Sequence, residues 1–243
     1  MNRLLTPYSW KIPSCVDKEQ ERHIKIRAGA YHTFFIDERG RLFAWGLNHY
    51  GQLGLEALNN DDDPDYIHEP RHIMSLEDEV VTDIWGGEDH SVACTQDGRL
   101  YAWGRLRFHA VGIDPNDPNH PIATEENEEG ELILRVPTEF PPSKYTLVLS
   151  VMSKADRRTV VDEEDTLDTF QRVACGLRHS VGLTTDGRVF TWGTSDRYQT
   201  GLGRTDPAAE PTMLKGEDIN TTFVKVDAGE AWSVFAARPQ DAE

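Results

Sequence analysis

The stretch from Arg27 to Gly54, RAGAYHTFFIDERGRLFAWGLNHYGQLG, comes back twice more in this chain and begins a fourth time. Its anchors are a small residue with Gly (Ala28-Gly29), a His three residues on (His32), a turn Gly (Gly40) and a Trp-Gly pair (Trp45-Gly46). They return as Gly86-Gly87, His90, Gly98 and Trp103-Gly104, and again as Cys175-Gly176, His179, Gly187 and Trp192-Gly193. Trp45, Trp103 and Trp192 each follow the His of their own copy by 13 residues, a register that chance does not hold three times. The fourth copy opens at Ala228-Gly229 but has Trp232 at the His position and no second half. Units of this kind cannot bury their apolar faces alone and must stack on neighbours.

Within each unit the pattern is that of a hairpin. Thr33 to Ile36 and Leu42 to Trp45 are aromatic and β-branched runs, separated by a polar turn that closes on Gly40. Asp97-Gly98 and Asp186-Gly187 supply the turn chemistry of the other copies, since Gly permits positive φ and Asp hydrogen-bonds the turn backbone. Gly29, Gly87 and Gly176 are expected where the backbone turns or approaches a neighbour closely. Trp45, Trp103 and Trp192 are expected in equivalent, mostly buried places. His68 to Ile73 reads as an outer strand, and Asn59 to Asp65 as a polar loop.

Charge is the compositional extreme: 25 basic residues stand against 42 acidic, a net −17. That balance argues against a nucleic-acid-binding surface, because phosphates would be repelled. The step from His32 to His90 is 58 residues but from His90 to His179 it is 89, so the second unit carries an insertion, placed at 114–169. Glu125 to Glu131 and Asp162 to Asp168 within it read as solvated, disordered acidic blocks, either plain soluble loop or a docking surface for a basic partner. Tyr145 to Met152, between them, reads as a strand at a sheet edge.

Other signals mostly exclude. No apolar run approaches the roughly 18 residues of a membrane span, so no membrane partner is expected. The N-terminus lacks the apolar segment of a secretory signal, and Asn220-Thr221-Thr222 is therefore expected to remain unglycosylated. Cys15, Cys94 and Cys175 are odd in number and widely spaced, as expected of small buried strand residues in a reducing compartment. The expected location is intracellular, in nucleus, cytoplasm or both. His32, His90 and His179 occupy one repeat position, which points to a repeated structural task, and no Cys or carboxylate set at ligand spacing accompanies them, so neither metal nor cofactor is expected. Gly86-Gly87-Glu88-Asp89 lacks the Lys-Ser/Thr ending of a phosphate loop, and no nucleophile or zinc-protease motif occurs, so bond-making chemistry is not expected.

The pattern of small-Gly-x-x-His-Ser/Thr, an Asp-Gly-Arg turn, an aromatic-x-Trp-Gly strand and the exit Tyr50 to Gly54 resembles the regulator of chromosome condensation repeat family, and within it the C-terminal half of the exchange factors for the small GTPase Ran. The resemblance implies an all-β fold, a partial β-propeller of about three and a half four-stranded blades from a seven-bladed ring. On that pattern residues 1–24 end a preceding blade, 25–78, 79–171 and 172–222 are blade repeats, and 223–243 give one closing inner strand and a tail. The family further implies a Ran-like GTPase as partner, bound through the rim turn at Asp89 or His90. A complementing N-terminal half and little exchange activity from the chain alone follow from the same resemblance. The alternatives are an interaction scaffold without exchange activity, or an incomplete gene product.

Overall fold

The computed structural model describes residues 25–56, 65–118, 121–140, 169–214 and 221–238. Each complete copy of the repeat forms an antiparallel sheet whose strands pair in chain order. β1 (Lys25–Ala28), β2 (His32–Ile36), β3 (Leu42–Leu47) and β4 (Tyr66–His72) make the first. β5 (Val81–Gly86), β6 (His90–Thr95), β7 (Leu100–Arg105) and β9 (Leu132–Glu139) make the second, with the two-residue β8 (Glu125–Glu126) added outside β9. The third comprises β10 (Phe170–Cys175), β11 (His179–Thr184), β12 (Val189–Gly193) and β13 (Ala208–Met213), and a hairpin of β14 (Phe223–Gly229) and β15 (Trp232–Ala237) follows. Among the described residues no helix is long and apolar enough to cross a membrane.

The turn between second and third strands explains why each hairpin closes where it does. Gly40, Gly98 and Gly187 all have φ between +79° and +86°, a region closed to most side chains. The Asp of each turn also accepts a 2.7 Å bond from the Nε of the following Arg, in the pairs Asp37–Arg41, Asp97–Arg99 and Asp186–Arg188. Positive φ and a charge-assisted bond therefore define one turn three times over.

The sheets then stack edge by edge, β1 beside β5, β5 beside β10 and β10 beside β14, which makes these four the inner strands. Phe34, Leu42, Ile84, Val92, Trp103, Leu134, Val181, Leu183 and Trp192 are buried between blades. Aromatic edges meet across the junctions: Phe34 lies at 6.0 Å and 88° to Trp103, and Phe140 at 5.7 Å and 65° to Trp192.

At each junction the repeat His and Ser form one joint, which a Trp completes at the first two. His32 Nε2 lies 3.1 Å from Ser91 Oγ, whose hydroxyl donates to the Gln52 carbonyl at 2.8 Å, and Trp103 Nε1 donates to the same carbonyl at 2.9 Å. The next joint joins His90 to Ser180 at 2.9 Å, with Ser180 and Trp192 both donating to the Ala110 carbonyl. The third joins His179 to Ser233 at 3.0 Å, with Ser233 donating to the Gln199 carbonyl. Because each Ser proton is committed to a carbonyl, each imidazole must donate from Nε2. Burial pushes the pKa of His32 down to about 4, of His90 to about 3 and of His179 to about 4. Gly29, Gly87 and Gly176 serve these rings directly, since a Cβ on any of them would fall on the imidazole of its own repeat.

The fold departs from expectation in four places. Glu125 to Glu131 is not a disordered block. It forms β8 and a tight turn, in which Asn127 Oδ1 accepts from the Glu129 and Glu131 amides and so supplies locally the order that composition alone does not reveal. The fourth strand of the second blade, β9, lies inside the stretch counted as insertion. The last unit supplies two strands rather than one inner strand, because Phe223 to Gly229 turns back at Glu230 to pair with Trp232 to Ala237. Trp103 and Trp192 are fully buried, whereas Trp45 is only partly so and makes no indole hydrogen bond among the described residues. Cys94 and Cys175 are buried free thiols on strands, as expected of them. Cys15, Tyr145 to Met152, Asp162 to Asp168 and Asn220 lie outside the described residues.

Candidate functional site: a charged rim between the second and third blades

The turn from inner to second strand brings one residue of each unit to a common rim, immediately before the repeat His. These residues are Tyr31, Asp89, Arg178 and, before Trp232, Ala231. The exit of each third strand is bonded to the same turn: the amides of Leu47, Arg105 and Thr194 donate to the carbonyls of Tyr31, Asp89 and Arg178. Two loops per blade therefore meet at this rim, and their side chains can act together.

At the second blade they do. Arg105 Nη1 donates to Asp89 Oδ2 at 3.0 Å, and its Nη2 donates to Glu131 Oε1 at 2.7 Å. The guanidinium lies over the Tyr50 ring of the first blade, its Cζ 4.2 Å from the ring centroid. Tyr50 in turn donates to Glu129, whose other oxygen is 3.5 Å from His49 Nε2. On the far side Arg178, from the third blade, stacks on Phe108 at 4.2 Å and bonds Glu88 at 2.7 Å. Arg107 closes the group, 4.9 Å from Phe108 and 3.2 Å from Glu131.

The electrostatics follow from this pairing. Burial raises the Asp89 carboxyl above its ordinary value, with the Arg105 bond pulling the other way. Arg105 is held charged: burial works against it, but the bonds to Glu131 and Asp89 more than offset that and raise it. Glu131 is lowered, first through its bond to Arg105. Three guanidinium groups thus face Glu88, Asp89 and Glu131 in near balance, a surface of oriented donors and acceptors rather than a free acid or base.

Phe108 and His109, beside this network, have φ of +70° and +58°. The sequence of the second exit loop, Arg105 to Gly112, keeps only the last Gly of the Tyr50 to Gly54 pattern, yet its backbone keeps the shape. His109 and, in the third blade, Tyr198 at φ +60° stand where the first blade has Gly51 at +69°. Non-Gly residues in this conformation cost about 1 kcal/mol or more each.

Of the two sequence candidates, Asp89 belongs to the rim network. His90 is 2 % exposed and makes the same Ser-bonded joint as His32 and His179, so it supports the rim from below. Sequence reasoning did not single out Arg105, Glu131, Tyr50, Phe108 or Arg178. Glu131 lay in a block read as solvent-facing, and the others converge only once three blades are stacked. Among the described residues no three His, Cys, Asp or Glu side chains stand at metal-ligand spacing, and each repeat His has its Nε2 committed to a serine.

Comparison with known proteins agrees with this architecture. The chain is 32 % identical over 222 residues to protein pim1 of Schizosaccharomyces pombe, covering 90 % of this chain and 36 % of that protein. It is 30 % identical over 219 residues to the guanine nucleotide exchange factor SRM1 of Saccharomyces cerevisiae, covering 88 % and 39 %. The crystal structure of Prp20p from Saccharomyces cerevisiae, described with its binding properties to Gsp1p and histones, superposes with a TM-score of 0.68 at 28 % identity, over 90 % of this chain and 45 % of that one. The chain therefore spans less than half the length of these relatives. Two sequence profiles of one repeat match it, the first at 39–94 and 186–236, the second at 24–52 and 170–199. With repeat, blade and joint all in agreement, the chain belongs to the regulator of chromosome condensation (RCC1) repeat family.

Proposed function

We propose that this chain forms part of a guanine nucleotide exchange factor for a Ran-type small GTPase, the C-terminal half by its pattern, with Asp89 and its Arg105–Glu131 partners at the docking point. The observation that carries this is the rim position before the repeat His. Tyr31, Arg178 and Ala231 fill it elsewhere, while in the second blade it holds a carboxylate fixed by Arg105, in the turn that the family resemblance implicates in exchange. Similarity to an exchange factor, and to a propeller studied for binding Gsp1p, supports the same reading.

The mechanism requires no bond chemistry. A partner that binds the nucleotide-free GTPase about a hundredfold more tightly than the GDP-bound form must, by thermodynamic reciprocity, weaken GDP binding by the same factor. A rim of paired charges suits this task. Its donors and acceptors are oriented in advance, so docking need not order them, and its near-neutral balance gives directional recognition rather than bulk attraction.

The test is the affinity of the full chain for a Ran-type GTPase prepared nucleotide-free and GDP-loaded. The expected result is a clear preference for the nucleotide-free form, with little acceleration of GDP release by this chain alone. Equal affinity for both forms would leave an interaction scaffold as the function and end the exchange reading.

A further inference from the structure

Four residues upstream of each rim glycine, the inner strands share another repeat position, filled by Lys25, Asp83, Arg172 and Lys225. Strand rise puts this level about 13 Å below the rim, towards the other end of the inner strands. Since β1, β5, β10 and β14 lie side by side, three cations and one carboxylate line a single level of the inner edge. The acidity of the chain as a whole makes this concentration of positive charge unusual.

Asp83 offsets only part of it. Lys25 Nζ is 4.0 Å and Arg27 Nη2 is 3.6 Å from the same oxygen, Asp83 Oδ1, both beyond a direct hydrogen bond. That oxygen and Arg27 Nε are buried without a hydrogen-bond partner. Two cations therefore share one carboxylate, with the Arg27 guanidinium 5.2 Å over the Trp85 ring. Arg172 and Lys225 are exposed, and neither has a carboxylate at ion-pair distance among the described residues. Asp227, two residues along β14, is the other acid on these strands. The count is four cations, Lys25, Arg27, Arg172 and Lys225, against two carboxylates.

We propose that this level of the inner edge is a binding site for a compact multivalent anion of the phosphate class, gripped by Arg172 and Lys225 with Arg27 and Lys25 behind them. Guanidinium groups present forked donors that match phosphate oxygens, and an excess of cations on neighbouring strands draws such an anion in. A singly charged carboxylate would only duplicate Asp83. An oligophosphate can bridge cations on neighbouring strands at once. The proposal does not rest on the GTPase reading, because the site lies away from the Asp89 rim.

The experiment is calorimetric titration of the full chain with inorganic pyrophosphate at low salt, alongside tryptophan fluorescence. One-site binding that weakens as salt rises is expected. The Arg172→Gln/Lys225→Gln double variant, at exposed positions, should lose at least tenfold in affinity with little change in thermal midpoint. Trp85→Phe should bind as before but lose the fluorescence change. Absence of binding at millimolar pyrophosphate, or unchanged affinity in the double variant, would overturn the proposal. So would binding of a DNA duplex that pyrophosphate fails to displace, since that would make the level part of a nucleic-acid surface.

Discussion

The junctions between blades and the rim above them are built on the same repeat and behave in opposite ways. At the junctions the side chains repeat: Ser and Trp converge on one carbonyl, Gln52 in the first joint and Ala110 in the second, and the His bonds the Ser. One residue away, at the rim, the backbone repeats but the side chains do not, as Tyr31, Asp89, Arg178 and Ala231 show. A position with no part in the joint is free to carry recognition, because changing it leaves the stacking intact. Among the described residues, the network of Asp89, Arg105 and Glu131 stands on the blade that has an added strand, β8, and the turn after it brings Glu129 and Glu131 to the rim.

The comparison breaks hardest at the buried indoles. Trp103→Ala or Trp192→Ala empties a closed junction and removes one of the two donors to its carbonyl, and should cost about 3 to 5 kcal/mol. Trp45→Ala, at a partly open position without the indole bond, should cost about 1 to 2 kcal/mol. Urea unfolding midpoints of the three variants check this, and equal losses would mean that the joints are not what holds the blades.

Acid is a second way to attack the joints. The three repeat imidazoles are depressed in the folded state, so the unfolded chain binds protons first. Their contribution to stability is complete above about pH 6.5 and is lost as pH falls towards 4, amounting to about 2 kcal/mol per imidazole by pH 5. Unfolding midpoints measured from pH 7.5 down to 5 should fall steadily, and His90→Gln should flatten the slope although it lowers the plateau.

The smallest effect concerns the exit loops. His109→Gly and Tyr198→Gly release a strained φ and should each stabilise by roughly 1 kcal/mol, less the entropy that Gly returns to the unfolded chain. Thermal midpoints should rise by a few degrees at most. A fall would show that these side chains pack in a way that outweighs the strain.

What the sequence made legible divides along the same line. Hairpins, blade order and the structural task of the His and Trp anchors follow from the 13-residue register, because buried repeated contacts leave repeated letters. The rim network left no such trace. Arg105 and Glu131 are 26 residues apart and Arg178 comes from another blade, so their meeting depends on stacking rather than on local pattern. Glu131 misled for a physical reason: composition ranks an acidic run as solvated, but the Asn127 turn and one arginine suffice to order it. The half-buried state of Trp45 was equally invisible, since its letters match those of Trp103.

The central claim is that recognition lies at the rim and folding at the joints. Its most direct measurement is the affinity of Asp89→Asn and His32→Ala for a nucleotide-free Ran-type GTPase, each corrected for the fraction folded. Asp89→Asn should lose at least about tenfold in affinity, or about 1.4 kcal/mol, with little change in unfolding midpoint. His32→Ala should lower the midpoint by several degrees and bind as the parent does once corrected. Equal corrected losses in both variants, or a binding defect in His32→Ala alone, would contradict the account.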